Sequence, residues 1–310
     1  MIQLPASFVS ATLDRDGATG TDWLANLPTT AELLMTRWGC LPDGEPGHGG
    51  VGIVIPVLRT GEPAVLKVSP RHPENAREPD ALIAWNGHGA VRLLERDDEH
   101  GAMLLERAHR TTLRQNESDD EVAQAAGCLH RLLTVPAPPH LPLLQNHADA
   151  WEEQLHRDRR ELPHDLPAQA VDAALATARD LGRAQPRILV HGDFHARNIL
   201  SADREPWLAI DPKGVVGDPA YDTGTLVKAR AWQIHDRGDL SGAVNRFLDA
   251  FTEAACLDRA QAKRWAQLHA VQAAFSGHRR GFRVARTGPQ RDRVVDFAEH
   301  LAHLLTEPHL

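Results

Sequence analysis

The sequence predicts an α+β fold in two unequal parts, a small β-rich one followed by a larger, mostly helical one. Three observations carry this reading. Short β-branched runs crowd into the first ~107 residues, one-sided apolar patterns of helical period fill the remainder, and the change falls near residues 107–111. The expected division is 1–107 and 108–310. At 310 residues the chain exceeds the roughly 150 residues of an average domain. Its 42% apolar and 25% charged residues are ordinary globular usage, which excludes a disordered or fibrous chain.

Each element has its own warrant. Residues 17–39 read as a turn followed by a helix, with Thr29 and Glu32 at capping-box spacing after Pro28. A glycine-dense stretch, Gly44 to Gly52, runs into the strand candidate Val51–Leu58, and Ala64–Val68 is a second strand after a turn at Gly61–Pro63. Residues 73–86 carry Ala81, Leu82 and Trp85 at helical spacing. Val91–Glu95 and Ala102–Glu106 flank the polar loop 96–101 and suggest a hairpin. Ser118 and Glu121 form another capping box ahead of a helix with Val122, Ala125, Ala126, Leu129, Leu132 and Leu133 on one side; Cys128 is placed on that apolar side as a reduced, buried thiol. Pro136, Pro138, Pro139 and Pro142 then forbid regular structure. Helical patterns resume over 149–184 and from 219 onward. Between them lie the strand candidates Ile188–Val190 and Trp207–Ile210, with Asn198–Ser201 nearby.

Charge narrows the function classes. The chain has 34 basic and 42 acidic residues, a net charge of −8. That balance argues against wrapping nucleic acid or lying on an anionic membrane and suits a cationic small molecule. No apolar window reaches membrane-spanning length and no leader-like segment precedes Asp14, so a cytoplasmic location is expected. Cys40, Cys128 and Cys256 are far apart and specify neither a disulfide nor a thiolate zinc site. Nothing in the pattern specifies an oligomeric state. Only Lys67, Lys213, Lys228 and Lys263 among the 34 basic residues are lysines, and each raises the question of why an arginine would not serve.

The chemistry concentrates in Val190-His-Gly-Asp-Phe-His-Ala-Arg-Asn-Ile-Leu200 and Leu208-Ala-Ile-Asp-Pro-Lys-Gly214. Asp193 is followed five residues later by Asn198 and thirteen further on by Asp211, each beside a strand-like stretch. Phosphoryl transfer needs a carboxylate to orient an attacking hydroxyl and hard oxygen ligands for Mg²⁺, and these three supply both. Lys67, in an apolar strand where an unpaired ammonium is costly, suits phosphate oxygens. A competing reading makes His191, Asp193 and His195 ligands of a metal-dependent hydrolase. A third is a catalytically silent nucleotide-binding module. No HExxH spacing is present.

The strings His191-Gly-Asp-Phe-His195…Asn198 and Ile210-Asp-Pro resemble the catalytic and metal-binding loops of the aminoglycoside phosphotransferase family, relatives of the protein kinases. Ala209 to Asp218, Trp23 to Pro28 and Leu104-Leu-Glu-Arg107 resemble its streptomycin/hydroxyurea phosphotransferase branch. The resemblance implies a bilobal protein-kinase-like fold. It also implies ATP- and Mg²⁺-dependent transfer of the γ-phosphate to a hydroxyl of a small molecule, an aminoglycoside such as streptomycin first, in antibiotic resistance; a sugar or amino-sugar kinase is the alternative. By the same resemblance Asp193 is the catalytic base and Asn198 and Asp211 bind magnesium. Lys67 holds phosphate, paired with Glu78, and the backbone of residues 104–108, including Leu104, Glu106 and Ala108, cradles adenine.

Some features depart from that pattern or stay open. Gly47–Gly52 lacks the glycine spacing of protein kinases, and the metal loop reads Asp-Pro-Lys. Pro79 requires either that a helix starts at Glu78 or that Glu78 is misassigned. His191 is expected to brace its loop, with His195 ambiguous between the same options. Asp218 and Asp222 are expected to cap the next helix and brace that loop too. Lys213 is open between contacting phosphate or substrate and pairing with Asp218. Lys228 and Lys263 read as ordinary, and Asp236, Asp239 and Glu299 are candidate acids for a cationic acceptor.

Overall fold

The computed structural model describes residues 2–73, 75–162, 166–282 and 288–307. An antiparallel sheet of β1 (Cys40–Pro42), β2 (Gly47–His48), β3 (Ile53–Arg59), β4 (Glu62–Val68), β5 (Leu93–Asp97) and β6 (Ala102–Glu106) takes the first part of the chain. The strand order is β1-β3-β4-β6-β5, with β2 on β3, and β5–β6 is the hairpin read from the sequence. Period-two alternation gives the sheet two apolar faces. Ile53, Ile55, Val57, Leu66 and Leu104 turn to one, where helix α1 (Ala6–Arg37) covers them with Phe8, Leu27, Ala31 and Leu34. Met103 and Leu105 turn to the other and join a larger core that includes Ala81, Leu82 and Trp85 of helix α2 (Glu78–Trp85).

Helix α1 departs from expectation at its start. The anticipated turn is a kink at Gly17, φ +56°, but the chain is helical on both sides of it, and Pro28 and Thr29 lie inside the helix. The Thr29/Glu32 spacing therefore caps nothing. Burial of Leu24, Leu27, Ala31 and Leu34 along one stripe carries the helix through the hydrogen bond that Pro28 removes. Helix α2 begins at Glu78 with Pro79 in its first turn, where proline costs no intrahelical bond, so the proline and the pairing role of Glu78 are compatible.

Helix α3 (Asp119–Leu133) starts at Ser118, whose hydroxyl accepts from the Glu121 backbone. The Glu121 carboxylate turns to Asn116 Nδ2 at 2.8 Å instead of closing the box. Cys128 is exposed, and Leu132 is 50% exposed, against expectation. The buried set of Val122, Ala123, Ala126, Gly127, Leu129, His130 and Leu133 fixes the phase of the helix, and positions 128 and 132 fall outside it. Helices α4 (Ala148–Glu161), α5 (Ala168–Asp180), α6 (Thr223–Ile234), α7 (Leu240–Ala255), α8 (Arg259–Arg280) and α9 (Pro289–Thr306) complete the larger core, α3 lying on α7 and α8 on α5, α6 and α9.

Two small sheets interleave between them. Strand β7 (Ile188–Val190) pairs with β10 (Val215–Gly217), and β8 (Ile199–Ser201) pairs with β9 (Trp207–Ala209). Strands β1, β2 and β10 are two or three residues long and were not evident from pattern. None of the described helices is long and apolar enough to cross a membrane.

The α3–α7 contact sets a steric limit. A Cβ at Gly127 would stand 2.6 Å from Ala254 Cβ and 2.8 Å from the Phe251 carbonyl. Backbone cannot yield as a flexible side chain does. Gly127→Ala should therefore destabilise by about 1–3 kcal/mol despite alanine's better helix propensity, read as a lower urea midpoint at unchanged m. A stabilised variant would show the two helices are free to separate.

Candidate active site

The interleaved sheets assemble the site. The loop 191–198 runs from β7 to β8 and the loop 210–214 from β9 to β10. Because β7 pairs with β10 and β8 with β9, the two loops lie side by side. Backbone bonds lock them there: Lys213 N donates to His191 O at 2.7 Å and Ile210 N to Asn198 O at 2.9 Å.

Side chains fix the first loop from within. Phe194, fully buried, anchors it between the edges of His130 and His191. His191 is 1% exposed; its Nε2 bonds Ile210 O at 3.0 Å and its Nδ1 accepts from Asp193 N at 3.2 Å. Burial holds its pKa below the usual imidazole value. The Asp222 carboxylate accepts from His191 N at 3.0 Å and Gly192 N at 2.8 Å. Asp218 caps the turn Pro219–Asp222 through Ala220 N at 3.0 Å and accepts from Trp265 Nε1 at 2.5 Å. His191 and Asp222 thus brace the loop as expected, whereas Asp218 caps only its own turn and the Asp222 side chain makes no capping bond to α6. Asp193 is half-buried at the centre, and Asn198, 8% exposed, donates from Nδ2 to Asp193 O at 3.0 Å and toward Asp193 Oδ2 at 3.4 Å. His195 Nε2 lies 3.6 Å from Asp193 Oδ1, and burial lowers its pKa.

The sheet delivers the cation. On β4, Leu66 and Val68 face α1, so Lys67 points to the opposite face, toward α2. There Nζ bonds Glu78 Oε1 and Oε2 at 2.6 and 2.7 Å and also contacts Asp211 Oδ1. Burial alone would lower the Lys67 pKa, but Asp211 and Glu78 more than reverse it, and the ammonium is held charged. One ammonium shared by two carboxylates leaves them unequal. Glu78, 3% exposed, is pushed up to about 7 by burial against the pull of Lys67. Asp211 stays below the usual range because Lys67 and Lys213 outweigh its burial. Asp211 sits in the left-handed region, φ +59°, a strained conformation for a non-glycine residue and frequent at functional sites.

The glycine stretch reaches the same place. A Cβ on Gly49 would lie 3.6 Å from Asp211 Oδ2, so the loop between β2 and β3 hangs over that carboxylate. Its spacing gave no sign of this, since register on β3 carries it there. Lys213 acts by charge on Asp211 and Glu78, while Asp218 is engaged with Gln261, Trp265 and Ala220; the Lys213–Asp218 pairing is not formed.

Lys67, Glu78, Asp193, Asn198 and Asp211 are therefore brought together. The strand end is more mixed. Leu104 lies inside β6 with neighbours on both sides, its side chain fully buried. The Glu106 carboxylate is bound to Arg204 at 2.9 Å and to Arg92 N at 3.0 Å, and Ala108 follows the end of the strand. Asp236 pairs with Arg293 at 3.0 Å, Asp239 caps α7 through Gly242 N at 2.8 Å, and Glu299 bonds His278 at 2.8 Å. Each of these three acids is thus engaged within the protein.

Known structures share this architecture. A thermostable mutant of aminoglycoside phosphotransferase APH(4)-Ia, solved as a ternary complex with ADP and hygromycin B, superposes with a TM-score of 0.60 at 13% identity, over 89% of this chain and 97% of that one. Choline kinase LicA from Streptococcus pneumoniae gives 0.53 at 12% identity, over 88% and 99%. The fold is thus protein-kinase-like. At the sequence level, streptomycin 6-kinase of Streptomyces glaucescens is 38% identical over 269 residues, covering 86% of this chain and 87% of that protein. Hydroxyurea phosphotransferase of Kitasatospora aureofaciens is 35% identical, covering 88% and 79%. The aminoglycoside/hydroxyurea antibiotic resistance kinase family matches residues 37–281, and the chain belongs to it.

Buried imidazoles around the site make stability sensitive to acid. His269 on α8, 8% exposed, is held down to about 3 by burial, with Lys228 adding to the effect and Asp222 opposing it. The unfolded chain then binds more protons below the usual imidazole value of about 6.5, so stability falls as pH drops through that value. Glu78, raised in the fold, has the opposite sign over part of this window, so the variant isolates the histidine. His269→Gln should lose about 2 kcal/mol less than the wild type between pH 7 and pH 5 in urea titrations. Parallel curves would show that His269 titrates normally.

Proposed function

We propose that the protein transfers the γ-phosphate of ATP to a hydroxyl of an aminoglycoside, with streptomycin as the first acceptor, and so confers antibiotic resistance. The observation that carries this is the interlocked pair of loops that sets Asp193 and Asn198 beside Asp211, with Lys67 bridging Asp211 and Glu78. In this reading Asp193 accepts the proton of the acceptor hydroxyl as its oxygen forms a bond to the γ-phosphorus and the bond to the departing ADP breaks. Lys67 moves its ammonium onto phosphate oxygens while Glu78 keeps it aimed. Lys213 adds positive charge on the same side, and the glycine loop over Asp211 lets backbone approach the phosphates.

The donor set fits magnesium. Asp211 and Asn198 offer hard oxygens, and Mg²⁺ is ordinarily held by one or two protein oxygens with phosphates and water completing its shell. When bound, the ion neutralises charge on the transferring phosphates. Among the described residues no three His, Cys, Asp or Glu side chains cluster as a metal site of the protein's own, and both ring nitrogens of His191 are engaged. Both observations weigh against the hydrolase reading. Adenine would meet the segment Leu104–Ala108 where the chain leaves β6, and we place the boundary between the two parts there, at 107/108. An ATP-dependent reaction of this kind belongs in the cytoplasm, and the net charge of −8 suits a cationic acceptor better than a nucleic acid.

Asp193→Ala should lower kcat for phosphate transfer by about 10²–10⁴-fold while MgADP affinity, read by calorimetry, changes less than about twofold. Full turnover in that variant would end the assignment of the base. An ATP-consumption panel of streptomycin, other aminoglycosides, hydroxyurea, neutral sugars and amino sugars should show its highest kcat/KM with streptomycin. Turnover confined to a neutral sugar would refute that acceptor.

A further inference from the structure

Three polar side chains that the transfer chemistry leaves unused meet in one corner beside Asp193. Tyr221 immediately precedes Asp222, the residue that holds the backbone of His191 and Gly192. Its ring meets that of His269 edge-on, with centroids 4.5 Å apart. Helix α6 closes on the same imidazole at Gly224, where a Cβ would stand 2.3 Å from His269 Cγ. Lys228 lies four residues further along α6, one turn on and on the same helix face. The charge of Asp193 acts on both Lys228 and Tyr221, and that of Lys228 on His269.

The protein satisfies none of these three polar ends. Among the described residues, the Tyr221 hydroxyl and the Lys228 ammonium have no hydrogen-bond or ion-pair partner, and the buried Nε2 of His269 has none either. Of the three, only the His269 Nε2 is shut off from solvent, and a buried polar atom without a partner is costly to hold. Lys228 is half-buried, and burial lowers its pKa while Asp193 opposes the shift. The contrast within the chain is instructive. Lys67 is held by two carboxylates, and Lys263 bonds the Glu307 carbonyl at 2.5 Å. Lys228 is left facing Asp193 without touching it.

We infer that Tyr221, Lys228 and His269 form the acceptor subsite, taking the oxygen-rich side of a hydroxylated ring, with Lys228 donating to an acceptor oxygen adjacent to the hydroxyl that Asp193 deprotonates. The subsite rests on the proposed hydroxyl kinase activity. An ammonium and a phenol present donors, so this corner selects lone pairs, and the cationic groups of streptomycin point away from it. The Tyr221 ring also lies nearly parallel to Trp151, centroids 5.9 Å apart at 13°, which fixes the ring at the edge of the corner.

The test is kinetic and chemical. Lys228→Met should raise the KM for streptomycin at least tenfold, with the KM for ATP and the melting temperature essentially unchanged, and Tyr221→Phe should raise it less. Lys228→Arg should recover part of the loss, which a lysine serving only as packing would not require. The four lysines permit a direct readout by acetylation with N-acetoxysuccinimide and peptide mass analysis. Streptomycin should protect Lys228 and leave Lys263 reactive, and MgADP should protect Lys67. Unchanged streptomycin KM in Lys228→Met, or an equal rise in the ATP KM, would overturn the subsite. So would an unprotected Lys228 in a wild-type enzyme that turns streptomycin over. A wild type showing neither turnover nor protection would instead overturn the acceptor reading itself, and the subsite with it.

Discussion

One ammonium, that of Lys67, ties the site together. It links strand β4, helix α2 through Glu78 and, from far along the chain, the loop after β9 through Asp211. Removing it would leave the buried Glu78 carboxylate beside Asp211 without its cation, a cost of about 3–5 kcal/mol for breaking the buried Lys67–Glu78 pair. The sharing also explains why lysine stands here in a chain that otherwise prefers arginine. A compact point charge on a flexible stem can be held by two carboxylates and then released to a phosphate, whereas a planar guanidinium would be fixed to one carboxylate in a fork.

The rest of the site is organised so that this cation meets a fixed partner. Trp85, at the far end of α2 from Glu78, donates to the Leu133 carbonyl at 2.8 Å and stacks on His191 at 6.0 Å. The helix that aims Lys67 is therefore packed against the loop carrying Asp193. Asp222 and His191 satisfy the backbone of that loop with buried groups, which makes its conformation expensive to change. Rigid braces around a half-buried, solvent-accessible carboxylate are what a positioned base requires.

How legible this was depended on whether a feature is local. The loops 191–198 and 210–214 were readable because Asp193, Asn198 and Asp211 sit at fixed intervals beside short strands. Glu78 was readable up to its proline, and the helix start at that residue resolved the conflict. The capping-box spacing in α1 and the burial of Cys128 misled, because packing of a neighbouring face set the helix boundary in one case and the helix phase in the other. Lys228 looked ordinary since nothing in its neighbours along the chain speaks of Asp193 or His269.

The sequence by itself determined the order of elements, the α+β division of patterns, and the residue types able to do phosphoryl chemistry, since these follow from hydrophobic period, turn residues and spacing along one chain. Only the tertiary structure decided that Gly49 overhangs Asp211, that Lys213 leaves Asp218 alone, and that Tyr221, Lys228 and His269 share a corner. Those facts depend on strand register and on the approach of α6 to α8, distances between segments that no local pattern encodes.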